Sequence, residues 1–104
     1  MSRTDAPTSR AHARQLGRVI GICEAMAVDG DEAAVRDRAL GALRERASAI
    51  HYDVSVPDFE RLDAAEYRTL ATFGHHASRH FEPEAAAALE RLGEIAAERV
   101  EVDR

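Results

Sequence analysis

The chain has 104 residues, an apolar fraction of 45% and a formal net charge of −5, and it contains no lysine. This acidic balance argues against a dedicated binder of nucleic acid or of an anionic membrane, whose surface would carry a basic excess. No apolar run approaches the roughly 18 residues of a membrane span, the N-terminus lacks a signal-peptide core and the one cysteine has no disulfide partner. We therefore expect a cytoplasmic protein.

The length allows one domain with a modest core. Alanine supplies 21 of the apolar residues, whereas Val, Ile, Leu, Met and Phe together supply 23. Because apolar burial stabilises by roughly 25 cal/mol per Å2, small side chains contribute little hydrophobic free energy. Self-association is therefore expected to add stability, so we expect a dimer or larger homo-oligomer. A further protein partner is also expected.

Residues 1–7 are polar and end in proline, so they predict a flexible leader before a single helical domain over residues 8–104. Thr8 or Ser9 is placed to cap a first helix that runs to about Val28. Its apolar arc is formed by Leu16, Val19, Ile20, Ile22, Cys23, Met26 and Ala27. Burial of Cys23 on this arc predicts a small hydrophobe and not a reactive thiol.

Two further features lie on the first helix. Gly17 and Gly21 make a flat patch that predicts the close approach of another helix, since glycine inside a helix is otherwise unfavourable. Arg10, Arg14 and Arg18 line the side opposite the apolar arc, and their pattern favours a solvated face over a phosphate site.

A turn around Gly30 separates the first two helices. Gly30 suits a left-handed position and Asp31 is placed to cap the second helix. That helix is predicted from about Glu32 to Ile50. Its inward positions are Val35, Ala39, Leu40, Leu43, Ala47 and Ile50.

Residues 51–62 break the helical pattern and predict a connector, with one helical turn around residues 58–61 and Phe59 against the core. A third helix over residues 63–81 follows. Asp63 and Glu66 have the spacing of a capping box, and Pro83 ends the helix near Phe81. The inward stripe contains Leu70, Gly74, Ala77 and Phe81, with Tyr67 and Phe73 on its shoulders.

A fourth helix is predicted from Pro83 to Val100, with Ala85, Leu89, Leu92, Ile95 and Ala96 inside. Four helices with two short links indicate an all-α fold, a small antiparallel up-and-down four-helix bundle. Residues 1–22 carry a charge of +3 (four Arg, one Asp) and residues 82–104 a charge of −4 (three Arg, seven acids). Neighbouring first and fourth helices with complementary charge are therefore predicted.

In an up-and-down bundle, the end of the third helix shares one pole with the first turn and the start of the fourth helix. His76 and His80, four residues apart on one helix shoulder, would there approach acidic side chains. Two histidines at this spacing, with Glu82 and Glu84, are a candidate site for a divalent metal ion. Histidines among carboxylates are also typical of a pH-sensitive latch, and the simplest alternative is a set of helix-end histidines satisfied by nearby acids.

Arg46 is followed after a few residues by His51. In this respect the chain resembles the HEPN family of small helical RNase and toxin domains, whose signature pairs an Arg with a following His on a helical bundle that often dimerises. The resemblance implies that Arg46 and His51 form the catalytic pair of a ribonuclease. The two side chains converge only if the second helix ends before His51.

No nucleophile with a base, phosphate-binding glycine loop or carboxylate dyad is evident, which favours a protein that is not an enzyme. The leading interpretation is an interaction or regulatory subunit that self-associates and has no resident cofactor. The alternatives are a metal or pH sensor that uses His76 and His80, and a HEPN-like ribonuclease.

Overall fold

The computed structural model describes the backbone of residues 5–50 and 53–102 and the side chains of residues 10–50 and 53–101. Within these ranges the chain is all-α and has no strand, which confirms the all-α part of the predicted fold class. None of the described helices is long and apolar enough to cross a membrane. The helices are α1 (Asp5–Ala25), α2 (Gly30–Ala49), α3 (Ala64–His75) and α4 (Pro83–Val102), with a 3-10 turn at Ala77–Arg79.

The core is built from the apolar stripes that the sequence predicts. Most of the predicted inward side chains are buried, and Val35, Ala47 and Phe81 are partly buried against them. Ala27 is exposed, because α1 ends at Ala25 and the helical spacing of the apolar residues does not continue beyond it. The largest fully buried side chains are Leu16, Ile22, Met26, Leu43, Leu70, Leu89, Leu92 and Ile95.

The ends of the first two helices differ from the prediction by a few residues. α1 begins at Asp5, so Pro7 falls in its first turn, where a missing N–H costs nothing; residues 1–4 of the predicted leader lie outside the described residues. Gly30 has φ +59, as predicted for a left-handed position, but Asp29 and not Asp31 is the N-cap of α2. Arg36 Nη1 donates to the Met26 carbonyl at 3.0 Å and so satisfies an acceptor beyond the end of α1.

α3 starts as predicted and stops early. Asp63 and Glu66 form the predicted capping box, in which the Asp63 amide donates to Glu66 Oε1 at 2.8 Å. The helix ends at His75 instead of Phe81, because the chain must reverse within a short link before α4. The 3-10 turn tightens this end, with the Arg79 amide donating to the His76 carbonyl at 3.1 Å.

The directions of the helices follow from contacts between them. Gly74 packs against Leu89, and Arg99 lies 6.0 Å from the ring centroid of Tyr67, so α3 and α4 run in opposite directions. Arg99 also pairs with Glu32 at 3.6 Å, which sets the end of α4 beside the start of α2. α4 is therefore antiparallel to both α2 and α3, and these two helices run the same way.

α1 completes the arrangement on the other side. Arg18 pairs with Glu66 at 3.3 Å, so the later part of α1 lies beside the start of α3, whereas His12 lines a pocket with Thr72 near the end of α3. The two helices are therefore antiparallel. Among the described residues, no Cα atom of α1 lies within 8 Å of one of α4. The predicted neighbour relation between the first and fourth helices is therefore wrong. α2 and α3 take the places beside α1. Arg18 of α1 pairs with Glu66 of α3, whereas Glu24 of α1 pairs with Arg44 of α2.

The connector between α2 and α3 explains this order. Two parallel helices need a link that travels back along the molecule, and residues 53–59 do so without the predicted helical turn. They cross α1 where its two glycines lie. A Cβ atom built on Gly21 would stand 2.6 Å from the Pro57 carbonyl oxygen, and one on Gly17 would meet the Ser55 carbonyl well under 3.0 Å. The patch thus accommodates an extended strap, residues 53–59, and not the predicted helix, while Phe59 packs against the core as predicted.

Candidate functional site

Three histidines meet in one pocket where the first half of α1 faces the link between α3 and α4. The pocket has a volume of about 230 Å3. Its titratable lining consists of His12 from α1, His76 and His80 from the link, and Arg79 from the 3-10 turn. We call this the histidine pocket. The remaining lining residues are Gln15, Thr72, Phe73, Ala77 and Phe81.

The early end of α3 determines how the pocket is built. If the helix continued to Phe81, His76 and His80 would be stacked one turn apart on a single face. Instead the 3-10 turn lies between them and buries Ala77 against the core. His76 and His80 therefore stand at the two ends of the turn, and both face the pocket that His12 enters from α1.

Arg46, in the last turn of α2, is fixed beside this pocket. Its Nη1 donates to the His80 carbonyl at 2.8 Å, and its guanidinium carbon lies 5.5 Å from the ring centroid of Phe81. Phe81 in turn makes an edge contact with Phe73, with ring centroids 6.1 Å apart. A hydrogen bond and a cation–π contact thus hold one permanent positive charge against the histidines.

The electrostatic environment of His12 is unfavourable to its charged form. His12 Nε2 is shielded from solvent and has no hydrogen-bond partner among the described residues. Burial first, then the charges of Arg46 and His80, lower the pKa of His12 below its ordinary value of 6.5. Among the described residues that line the pocket, none is Asp or Glu. The neutral form of His12 is therefore the form that the folded chain favours.

The structure brings together only part of the predicted metal site. His76 and His80 share the pocket, but Glu82 and Glu84 are exposed and do not line it. The described part of the chain contains no group of three or more His, Cys, Asp or Glu side chains that could hold a metal ion. Since α2 and α3 run parallel, Glu32 lies at the far end of α3, beside Arg99 and Tyr67. The described pocket thus joins His76 and His80 without a carboxylate in its lining, and the metal site stays a prediction.

The predicted Arg46–His51 pair falls partly outside the described residues, which omit His51. Arg46 itself points to the His80 carbonyl and Phe81. The HEPN-like assignment therefore stays a prediction, whereas the contacts of Arg46 place it in a different group of side chains.

Sequence reasoning missed His12. The signal was available, because His12 lies one helical turn before Leu16 and so at the edge of the α1 apolar arc. Cys23, by contrast, is buried as predicted, and burial raises the pKa of its thiol to about 12. It is a core side chain and not a nucleophile.

Comparison with known proteins adds no assignment: the chain matches no family model, no curated protein and no solved structure. The function must therefore be argued from the residues of the pocket.

Proposed function

We propose that this chain is a proton-sensing regulatory subunit, a cytoplasmic four-helix bundle with no enzymatic activity of its own. One observation carries the proposal: the shielded Nε2 of His12 has no hydrogen-bond partner among the described residues, and it lies in a pocket with two more histidines, beside the charge of Arg46. The predicted pH sensor is retained in this form, with His12 and Arg46 in place of the carboxylates.

The response to acid follows from the charges that face His12. These are Arg46 at the end of α2, and His76, Arg79 and His80 in the link, while the described carboxylates of the first turn of α4 point to solvent. Above pH 6.5 His12 is neutral and the pocket tolerates Arg46. Below it, a proton on the half-buried His12 adds a like charge beside Arg46. Repulsion then loosens the contact of α1 with the link and exposes a surface to a partner.

Stability should therefore depend on pH with a definite sign. Because the folded state lowers the pKa of His12, the unfolded chain binds this proton more readily. The contribution of neutral His12 is complete above pH 6.5 and is lost as the pH falls through that value to the folded-state pKa. We expect His12→Gln to reduce the loss of unfolding free energy between pH 7.5 and 5.5, as measured by urea unfolding in chloride buffer at each pH. These two pH values bracket, by about one unit each, the ordinary histidine pKa.

The matched control is His75→Gln. His75 is exposed and does not line the histidine pocket, and its ring makes an edge contact with His76, at 5.0 Å between centroids. The His75→Gln variant should lose as much unfolding free energy between pH 7.5 and 5.5 as the unchanged chain does. An equal loss in the His12→Gln variant and the unchanged chain would contradict the proposal.

The second candidate function is the interaction subunit that self-associates, and one feature favours it. Among the described residues, Val56 is the one large hydrophobic side chain that is exposed, at 42%. It lies in the strap, whose described backbone groups over residues 53–59 form no backbone–backbone hydrogen bond. An extended segment of this kind is a template for pairing with another extended chain, such as the strap of a second copy.

Self-association through the strap predicts a dimer that Val56→Asp converts to monomer, as measured by sedimentation velocity near neutral pH. A charge at the centre of a small interface cannot be desolvated without a large cost. An unchanged chain that sediments as a monomer at all concentrations would exclude this candidate.

A further inference from the structure

The histidine pocket is rich in hydrogen-bond donors. His12, His76 and His80 each offer a ring N–H, and a second one when protonated. Gln15 and Thr72 add an amide and a hydroxyl. A ligand with acceptor oxygens on several sides would therefore find a donor in more than one direction.

The charges of the pocket select an anion over a metal ion. Arg79 lines the pocket and Arg46 is held beside it by the bond to the His80 carbonyl. No described lining residue carries a negative charge. A cation would be repelled by both guanidinium groups, whereas an anion would compensate them and remove the penalty on protonated His12.

The size and protonation chemistry narrow the class of anion. A volume of about 230 Å3 is below the roughly 300–1,000 Å3 of pockets for drug-sized ligands, so the ligand is compact. A phosphate group has three strong acceptor oxygens and a second pKa near 6, close to that of histidine. A carboxylate has only two oxygens in one plane and would leave donors unused.

We propose that the histidine pocket binds the phosphate group of a small molecule, with His12 and Arg79 as its principal partners and Arg46 as a second positive charge beside it. This inference rests on the proposed function, because it names the ligand of the same sensor. Binding takes up a proton on His12, since the bound anion favours the imidazolium. Phosphate thus closes the pocket that acid alone would open.

The test uses the full chain in chloride buffer at pH 6, with inorganic phosphate as the probe and chemical-shift changes of the imidazole groups as the readout. We expect saturable changes at His12, His76 and His80. Arg79→Gln should weaken binding by at least about tenfold, because a charge-assisted contact is lost. The matched control is Arg91→Gln. Arg91 is exposed, pairs with Glu94 at 3.2 Å and does not line the pocket, so this variant should bind phosphate as the unchanged chain does.

Methyl phosphate then separates the two sources of the group: tighter binding than inorganic phosphate identifies a phosphate monoester, and weaker binding identifies free phosphate. Either result supports the site. Absence of saturable shifts, equal binding of sulfate, an equal loss in Arg91→Gln, or tighter binding of a single-stranded oligonucleotide would overturn it. A failure here leaves the acid response measured in chloride buffer intact, so the two proposals fail separately.

Discussion

Replacing Gly74 with alanine is expected to lower the free energy of unfolding by about 1–3 kcal/mol, the usual cost of overpacking a filled site. Intrinsic helix propensity alone predicts the opposite, a gain of about 1 kcal/mol. The contact between α3 and α4 decides the sign. A Cβ atom on Gly74 would lie well under 3.0 Å from the Leu89 carbonyl oxygen and 3.1 Å from the Cα atom of Gly93. These are backbone atoms, so the two helices must move apart.

Urea unfolding followed by circular dichroism measures this change, and Gly41→Ala is its matched control. Gly41 lies inside α2, and no described atom would stand within 4 Å of a Cβ atom built on it. That substitution should stabilise the chain by about 0.5–1 kcal/mol through propensity alone. If both variants were stabilised, the close approach of α3 and α4 would be refuted.

Replacing Gly17 with alanine should have an effect of similar size, about 1–3 kcal/mol, for a different structural reason. The new Cβ atom would collide with the Ser55 carbonyl and lie 3.1 Å from Val54 Cγ1, so the strap must lift from α1. Phe59 and its contact with Arg18, at 5.9 Å from the ring centroid, move with it. Loss of these contacts adds to the cost.

Hydrogen exchange distinguishes this effect from a general loss of stability. In Gly17→Ala the amides of residues 53–59 should exchange faster, beyond the change expected from global unfolding, while those of α4 follow global unfolding. Gly41→Ala again serves as reference. Exchange in the strap that merely follows global stability would show that the strap does not rest on Gly17.

The sequence predicted the apolar stripes and the start of α3, although it misplaced the end of that helix. Apolar spacing placed Leu16, Leu43 and Leu89 in the core, because a stripe recurring every three to four residues must face a neighbouring element. The spacing of Asp63 and Glu66 located the start of α3 for an equally local reason, since a capping box needs only its own turn.

The order of the helices was not contained in these patterns. An apolar stripe shows that one face of a helix is covered, but not which helix covers it. The long link between α2 and α3 is compatible both with an α3 antiparallel to α2 and with a link that runs back along the molecule, which makes the two helices parallel. Gly17 and Gly21 were the sequence feature that marked where the link runs back across α1. Because the order was wrong, His76 and His80 were assigned to an acidic pole, whereas they lie beside His12 and Arg46.

The pKa of the His12 imidazole, measured by NMR titration of the unchanged chain in chloride buffer, tests the central claim most directly. The structure predicts a value below 6.5, and Arg46→Gln should move it upward, because one of the charges that lowers it is removed. A pKa of His12 at or above 6.5 that does not respond to Arg46→Gln would contradict the histidine pocket as a proton sensor.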